Sequence, residues 1–523
     1  MKYILSLVLL ISIIHNNVIA QNNYNNDNSP PFCENIYSVY QPLGDYPIAY
    51  DICSDIDGNM YICGVAGYEP LFEGSTIYTN KCFWAKFNTN GELLMNIDIM
   101  GNFGFDASFT DICVDEDKNI YGIFEAALGL IFNNDTFFTS NGEGYKFIAK
   151  WDSLGNEIWI KQIDTYRIND IKVNDNGTVV CAGYFTVSMQ IDSIQYFYCG
   201  NNTLAEDVFI ASFNANNGNT QWVNILGNED EEHIFSIEID SEGNVYAPIQ
   251  FDGDSTQIGN STVTRTNTQD ELATVICKIN NTGTIEWNFL LDGYLNIRNI
   301  SFVNNNFYFS FYLVSDTLKY DSITYVNPTS RAGFFGKINT LGYLQWLTTI
   351  NTDIGNVVDL GLSTNSNGET VIYGRKSGSA IFTYNSQVLD STNNNIFYLK
   401  LDDNGNLQWY KSYMSTASPG VLSGITWGKK KDFYSVFSGI HQNAVITLGS
   451  YTLTDTLGQY AFIPKMRDFS NQKVPLPIGW GMVSGFIEPH NDTLVSVLDS
   501  VANNLIIVKN NAGNIYWPQY GVN

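Results

Sequence analysis

The stretch DDNGNLQW, residues 402–409, combines an Asn-Gly pair with a tryptophan four residues after the glycine. Asn-Gly pairs are favoured in tight hairpin turns, because such turns need positive φ angles that glycine adopts without a steric clash. The same letters are also compatible with a calcium-binding loop or with a repeat that docks a cofactor. The choice among these three interpretations decides the fold of the chain.

Variants of this stretch recur through the chain, which favours a turn inside a repeat. The glycine stands at positions 91, 155, 218, 283, 342, 405 and 513, and the aromatic residue at 159, 222, 287, 346, 409 and 517. Methionine occupies position 95 in the first copy, and the seventh unit lacks the motif. Regular recurrence indicates repeated structural units rather than one binding site.

A short apolar run that contains a lysine forms the second part of each repeat, as in FWAKF (83–87) and FYLKL (397–401). The lysines stand at positions 86, 150, 278, 337, 400, 465 and 509, with a serine at 212. Neighbouring copies are 59 to 66 residues apart, except the last pair, which is 44 residues apart. The sequence therefore predicts eight units, of which the last is short.

A second family of Asx turns gives each unit its four strands. Clear copies are DIDGNMY (55–61), DEDKNIY (115–121) and DSEGNVY (240–246). Two turns per unit make two hairpins, helical periodicity is missing, and β-branched and aromatic residues dominate the runs. Four-stranded units repeated along a chain predict an all-β fold, a β-propeller with eight blades. A seven-bladed ring with one irregular unit is the alternative.

DSEGNVY, VICKI (275–279) and NNTGTIEW (280–287) resemble the units of secreted bacterial β-propeller repeat proteins, called SBBP-repeat proteins. Those units run roughly as a DxxGNxYxxG turn, an FxxK strand and a GNxxW turn. The resemblance covers about residues 35–523. It implies the propeller fold and implies no shared catalytic residue.

The two ends and the composition predict an exported chain. Residues 1–20 have the basic start, apolar core and small-residue end of a signal peptide, and residues 21–34 are predicted to be a disordered Asn-rich leader. We expect one propeller domain over 35–523, monomeric and secreted, extracellular or periplasmic. A net charge of −27 excludes nucleic acid and membrane surfaces as partners and attracts cations. No later apolar stretch is long enough to predict membrane insertion.

Several chemical interpretations fail on spacing. An EF-type loop needs glycine at position 6 and glutamate at position 12, but counting from Asp402 position 12 is Tyr413, and counting from Asp55 position 6 is Met60. Weak calcium binding by the carboxylates of DIDGN and DEDKN stays open. Quinone-cofactor propellers use an adjacent cysteine pair, which is missing, and sialidase Asp boxes place the aromatic residue three positions after glycine. The sequence therefore assigns no catalytic, cofactor-binding or metal residue.

The remaining polar candidates have structural interpretations. His233, His441 and His490 lie in different units and are predicted to be surface residues. The aligned lysines are predicted to lie at blade edges with their stems on apolar surface. Cys53 and Cys63 either pair across their hairpin or stay buried thiols. The DSL, DSI and DTL triplets, such as 192–194, are either turns or O-glycosylation acceptors.

The predicted function is a binding or scaffold module for protein or glycan at the cell surface or outside the cell, rather than an enzyme. The alternative is a glycan-processing hydrolase or lyase with its active site at the ring centre. Carboxylates converging at the ring centre would favour the enzyme, and an aromatic rim would favour binding. No cofactor is predicted.

Three structural expectations follow from the repeat. The tryptophans at 222, 287, 346 and 409 are predicted to be buried wedges between blades. Gly283 and Gly405 are predicted to have positive φ. The N-terminal strand, within residues 35–44, is predicted to pair with the last unit and close the ring, because this removes an exposed sheet edge.

Overall fold

The protein is described from a computed structural model. It describes residues 19–20, 32–40, 48–65, 71–72, 75–76, 82–98, 107–126, 129–132, 135–138, 145–197, 199, 205–266, 272–320, 323–327, 332–352, 355–378, 381–390, 395–415, 422–428, 432–437, 445–448, 451–454, 460–467, 474–475, 508–509 and 515–516. The chain separates into two compact units, residues 31–467 and residues 1–30 together with 468–523.

Every regular element in the described part of the chain is a β-strand. The N-terminal strands are β1 (Ile19–Ala20) and β2 (Phe32–Tyr40). Blade 1 has β3 (Ile48–Ser54), β4 (Met60–Val65), β5 (Leu71–Phe72), β6 (Ser75–Thr76), β7 (Cys82–Phe87) and β8 (Leu93–Asp98). Blade 2 has β9 (Ala107–Val114), β10 (Ile120–Ala126), β11 (Gly129–Phe132), β12 (Asp135–Phe138), β13 (Tyr145–Trp151) and β14 (Glu157–Asp164). Blade 3 has β15 (Arg167–Val173), β16 (Thr178–Thr186), β17 (Ser188–Ile191), β18 (Ile194–Phe197), β19 (Glu206–Asn214) and β20 (Thr220–Leu226).

The later blades repeat this order. Blade 4 has β21 (Glu232–Ile234), β22 (Glu238–Ile239), β23 (Val245–Asp252), β24 (Ser255–Ile258), β25 (Ser261–Thr264), β26 (Leu272–Ile279) and β27 (Ile285–Leu291). Blade 5 has β28 (Leu295–Val303), β29 (Asn306–Leu313), β30 (Thr317–Tyr320), β31 (Ile323–Val326), β32 (Ala332–Asn339) and β33 (Leu344–Thr352). Blade 6 has β34 (Gly355–Thr364), β35 (Thr370–Gly378), β36 (Phe382–Tyr384), β37 (Gln387–Asp390), β38 (Ile396–Leu401) and β39 (Leu407–Ser415). Blade 7 has β40 (Leu422–Trp427), β41 (Asp432–Phe437), β42 (Val445–Leu448), β43 (Tyr451–Thr454) and β44 (Tyr460–Arg467). The last strands in the chain are β45 (Val474–Pro475), β46 (Val508–Lys509) and β47 (Ile515–Tyr516).

The all-β propeller is therefore confirmed, and in the described residues its ring has seven blades, the alternative count, where eight were predicted. In the described residues, the outer strand of the seventh blade is β2, which pairs antiparallel with β44. The N-terminal strand thus pairs with the seventh unit and not with the eighth. In the predicted eighth unit, the structure describes one pairing, that of β46 with β47. The predicted extension of the propeller to residue 523 stays a prediction, as do the signal peptide and the leader, which lie almost wholly outside the described residues.

Each blade also carries a short hairpin between its second and third strands, called here the insert. Where the pairing is described, the insert joins the outer strand of the preceding blade, as β17 joins β14 through Ile163 and Ile191. The inserts of blades 1, 6 and 7 do the same. The ring thus has an insert face and an opposite turn face, which carries the Asx turns.

Asp192 lies at the tip of an insert, with a φ of 56°. Its carboxylate accepts hydrogen bonds from the Thr220 hydroxyl at 2.7 Å and from the Lys161 amine at 2.5 Å. Turn geometry therefore accounts for the DSI triplet at 192–194. The glycosylation of such triplets stays a prediction.

The Asx turns are closed by their own side chains. In DIDGNMY the Asp55 carboxylate accepts the backbone NH groups of Asp57 and Asn59, the Asn59 amide at 2.8 Å and the Tyr61 hydroxyl at 3.1 Å. Asp115 and Asp240 accept the equivalent asparagine and tyrosine groups in their own turns. The Asp-Asn-Tyr spacing therefore encodes a turn whose carboxylate oxygens already have donors.

The stretch DDNGNLQW is a turn of the same kind. Asp402 accepts the backbone NH groups of Asn404 and Asn406 and the side-chain amides of Asn406 and Gln408, at 2.9 to 3.2 Å. Gly405 has a φ of +77° and Gly283 has a φ of +85°, as expected. The hydrogen bonds of Asp402 favour the turn over the calcium loop.

The repeated tryptophans connect neighbouring blades. The indole of Trp346 in blade 5 lies against Gly405 in blade 6, and its NH donates to the carbonyl of Asp403 at 3.0 Å. Trp222 and Trp287 make the same contact with the next blade, on Gly283 and Gly342. These indole side chains are half-buried at the outer part of the propeller, not fully buried as predicted. Their wedge role between blades is nevertheless the one expected.

Five of the aligned lysines are buried, at positions 86, 150, 337, 400 and 465. Some of them contact the next blade, whereas Lys86 and Lys400 pair with Asp55 and Glu369 of their own blades. The amine of Lys337 lies 2.6 Å from Asp403 Oδ1 of the next blade and 5.3 Å from the centre of the Tyr308 ring. Lys465 in blade 7 donates to the carbonyl of Thr89 in blade 1 at 3.0 Å. Because this last bond joins the final blade to the first, the lysine row also helps to close the ring.

Seven apolar clusters fill the ring, and each contains residues from two neighbouring blades. Trp84 and Trp151, both fully buried, pack edge to face between blades 1 and 2 with ring centres 6.1 Å apart. Seven cysteines, including Cys53 and Cys63, are free thiols. Because each cluster joins two neighbouring blades, each blade buries its faces against its neighbours, as propeller geometry requires.

Candidate functional site

The first strand of each blade faces the ring centre, and in every blade except blade 4 it contains a bulge. Its register shifts between Ala49 and Asp51 in blade 1, and at matching places in the other blades except blade 4, whose first strand is split into β21 and β22. A bulge leaves one residue unpaired and redirects the next side chain. In blades 1, 2 and 3 the residue after the bulge is an aspartate, at positions 51, 111 and 170. Ser236 holds this position in blade 4.

Each of these aspartates binds the backbone of the following blade. Asp111 accepts the NH of Ile171 at 2.7 Å, and Asp170 accepts the NH of Ile237 at 2.7 Å. Asp51 makes the corresponding contact with Ile112 at 3.4 Å. The row therefore links four consecutive blades at the ring centre, and each carboxylate has one oxygen engaged in this role.

The aspartate row and its neighbours contain several ionisable groups in a buried place. Burial raises the pKa of Asp111 to about 7 and the pKa of Glu238 to about 8, and it raises the pKa values of Asp51 and Asp170 as well. Lys172 forms an ion pair with Asp170. Burial would lower the pKa of Lys172, but Asp170, Asp111 and Glu238 together raise it. Burial thus favours the protonated form of all four carboxyl groups around Lys172.

A second group of side chains lies on the insert face where blades 3 and 4 meet. We call it the rim patch and define it as Tyr166, Tyr184, His233, Phe235 and Glu206. Tyr166 precedes β15 and is 58% exposed. Its ring centre is 5.8 Å from that of Tyr184, which lies 5.0 Å from His233 in an edge-to-face contact. Phe235 stacks on His233 at 6.2 Å. The patch is an aromatic row with one exposed end.

Acidic side chains border the rim patch. His233 Nδ1 lies 3.2 Å from Glu206 Oε2, and its Nε2 lies 3.8 Å from Glu231 Oε2. Burial raises the pKa of Glu206, Glu231 raises it further, and His233 and Arg167 lower it. The segment 228–233, NEDEEH, supplies most of this charge. Aromatic faces beside carboxylates are suited to holding a cationic group.

His233 is therefore not the solvated loop residue that the sequence predicted. It lies in β21, opposite Gln250, and is half-buried between Tyr184 and Phe235. His441 and His490 lie outside the described residues. The signal missed in the sequence is the histidine at the end of an acidic run; its aromatic neighbours come from distant positions that only the fold brings together.

Two further findings on the described residues concern metal ions and membranes. In the described residues, no group of three or more His, Cys, Asp or Glu side chains is arranged to hold a metal ion. Over the same part of the chain, no helix has the length and apolar character needed to cross a membrane.

Comparison with known proteins adds similarity of fold alone. No protein-family model matches the sequence, and no curated protein matches it significantly. The propeller of Dos1 is 10% identical with a TM-score of 0.40, over 85% of this chain and 97% of that one. A protein of unknown function from Dyadobacter fermentans is 7% identical with a TM-score of 0.35, over 84% and 99%. A quinohemoprotein alcohol dehydrogenase from Pseudomonas putida is 10% identical with a TM-score of 0.35, over 84% and 80%.

Proposed function

We propose that the protein is an exported propeller of the SBBP type that binds a basic segment of a partner protein at the rim patch. The observation that carries this proposal is the exposed Tyr166 ring at the end of the Tyr184–His233–Phe235 row, beside the carboxylates of Glu206 and Glu231. A lysine or arginine side chain placed on an aromatic face gains a cation–π interaction. The bordering carboxylates add charge-assisted hydrogen bonds.

The charge of the whole chain supports the same partner. With 26 basic and 53 acidic residues, the protein attracts cationic partners from a distance and speeds their encounter. Phosphate-rich partners are repelled by the same field. A basic peptide therefore matches both the long-range field and the local chemistry of the rim patch.

The test is binding of a fluorescent oligolysine peptide to the full chain and to Tyr166→Ala. We expect the variant to bind about 10-fold more weakly, since a desolvated cation–π contact contributes up to about 2 kcal/mol. Tyr343→Ala is the matched control, because Tyr343 is 66% exposed but lies on the turn face. Equal affinity of both variants and wild type would contradict the proposal, and binding of neutral glycans lost in Tyr166→Ala would favour glycan recognition instead.

The enzyme alternative has one observation in its favour, the carboxyl row at the ring centre. A carboxyl group whose pKa is raised to about 7, as at Asp111, is suited to general acid catalysis. However, one Asp111 oxygen is engaged with Ile171, and the residue is 7% exposed. Glycan hydrolysis by wild type that is lost in Asp111→Asn, with unchanged folding, would establish this alternative.

A further inference from the structure

An exposed valine lies beside the rim patch in a backbone conformation that β-branched residues avoid. Val187 is the single residue between β16 and β17, its φ is 59°, and its side chain is 51% exposed. In this left-handed region a Cβ atom crowds the neighbouring carbonyl group, so a β-branched residue there is an outlier. The valine therefore costs stability, and burial of its side chain does not offset that cost.

The next blade makes the corresponding bend with a glycine. There Gly253 lies between β23 and β24 with a φ of +78°. In the described chain, the other non-glycine residues with positive φ are asparagine, aspartate, serine and lysine residues in hairpin turns. The bend itself therefore does not account for a valine. A strained residue whose side chain faces solvent points to a contact with another molecule.

A second exposed apolar residue lies next to Val187 in the sheet register. Phe197, the last residue of β18, is opposite Ser188, which directly follows Val187. The side chain of Phe197 is 66% exposed. Because the next pair, Met189 with Tyr196, packs against the core, Phe197 points outwards. We call Val187 and Phe197 the apolar strip.

The apolar strip is continuous with the rim patch. Thr186, which directly precedes Val187, is opposite Glu206 of the rim patch. Glu206 Oε2 in turn lies 3.2 Å from His233 Nδ1. One extended segment can contact both surfaces, since alternate side chains of a strand are about 7 Å apart on the same face.

We propose that the apolar strip determines the specificity of the rim patch, so that the preferred partner segment carries a lysine or arginine within two residues of a large apolar side chain. The basic residue lies against Tyr166 and the bordering carboxylates, and the apolar residue covers Val187 and Phe197. This contact removes apolar surface from water, which a purely basic segment cannot do. The inference rests on the proposed function, because the same partner occupies both surfaces.

The experiment compares the binding of fluorescent peptides of equal length to the full chain by anisotropy. In the Lys–Leu peptide, lysine alternates with leucine; the Lys–Ser peptide has serine in place of leucine, and the Gln–Leu peptide has glutamine in place of lysine. We expect wild type to bind the Lys–Leu peptide about 10-fold more tightly than the Lys–Ser peptide, because burial of a leucine side chain gives at least that factor. The Gln–Leu peptide should also bind more weakly than the Lys–Leu peptide.

Two variants locate this preference on the apolar strip. Phe197→Ser should bind the Lys–Leu and Lys–Ser peptides alike. Val326→Ser is the matched control, because Val326 is also the last residue of an outer insert strand and is 73% exposed, but it lies in blade 5. Val187→Asn should weaken the preference for leucine while raising the melting temperature by about 1–2 °C, since asparagine tolerates the left-handed conformation. A lower melting temperature of Val187→Asn would contradict the strain at this residue.

Wild-type data alone decide the inference, even where a variant does not fold. Equal affinity for the Lys–Leu and Lys–Ser peptides would overturn it and leave the proposed function intact. If neither of these peptides binds, the proposed function fails and the inference fails with it. Equal affinity for the Lys–Leu and Gln–Leu peptides would contradict the link between the two surfaces. Self-association in sedimentation velocity that Phe197→Ser abolishes would assign the apolar strip to a second copy of the chain and overturn the inference as well.

Discussion

The contact between Trp346 and Gly405 allows the inter-blade packing to be tested with one methyl group. A Cβ on Gly405 would lie 2.8 Å from Cδ2 and 2.9 Å from Cε3 of Trp346. The φ of +77° adds a backbone penalty for any L-residue. Gly405→Ala should therefore cost about 1–2 kcal/mol for the backbone and about 1–3 kcal/mol for overpacking.

Gly177 provides a matched control. Its φ is +78°, but the nearest atom to an added Cβ is Ala215 Cβ at 3.9 Å, an ordinary contact. Gly177→Ala should therefore cost only the backbone penalty, about 1–2 kcal/mol. The difference between the two variants isolates the packing of the indole on the neighbouring blade.

The measurement is the guanidinium-induced unfolding midpoint of both variants and of wild type, with reversibility checked on refolding. A double variant, Trp346→Ala with Gly405→Ala, should lose less stability than the sum of the single changes, because removing the indole relieves the clash. Equal losses for Gly405→Ala and Gly177→Ala, or additive behaviour of the pair, would refute the wedge role of Trp346.

Three further predictions concern ring closure, charge and pH. Deleting residues 21–31 should leave the melting temperature unchanged, whereas deleting 21–40 should lower it, because β44 then loses its partner strand. Burial raises the pKa of Asp403, but the Lys337 amine brings it below its usual value. Lys337→Met should therefore raise this pKa, which NMR titration measures. Because the pKa of Asp111 is raised in the folded state, stability should rise as pH falls from 8 towards 4, and Asp111→Asn should flatten this dependence in melting curves.

The repeat and its turn chemistry could be predicted from the sequence because they are local. Asp55, Asn59 and Tyr61 are close in the chain, so their spacing alone encodes the hydrogen bonds that the structure shows. Gly405 and its positive φ follow from the same local reasoning. The inserts were missed because their strands are only two to four residues long, too short for alternation to stand out.

The candidate site was beyond sequence reasoning for the opposite reason. Tyr166, Tyr184 and His233 are separated by 18 and 49 positions and meet only because blades 3 and 4 are neighbours. None of these residues belongs to a repeated motif, so no pattern in the chain indicated them.

The sequence by itself determined the strand content, the four-stranded unit and the turns, because each depends on backbone conformation within one unit. The tryptophans were recognised by their repetition, whereas their partners lie in the next blade. Only the tertiary structure decided the number of blades, since that depends on whether β2 or the eighth unit completes blade 7. The blade number is decided by which strand pairs with the open edge of β44. That strand is β2, and the paired residues are more than 400 positions apart. The sequence predicted that an N-terminal strand closes the ring, but it did not identify which unit that strand completes, because one strand can satisfy the open edge of either unit.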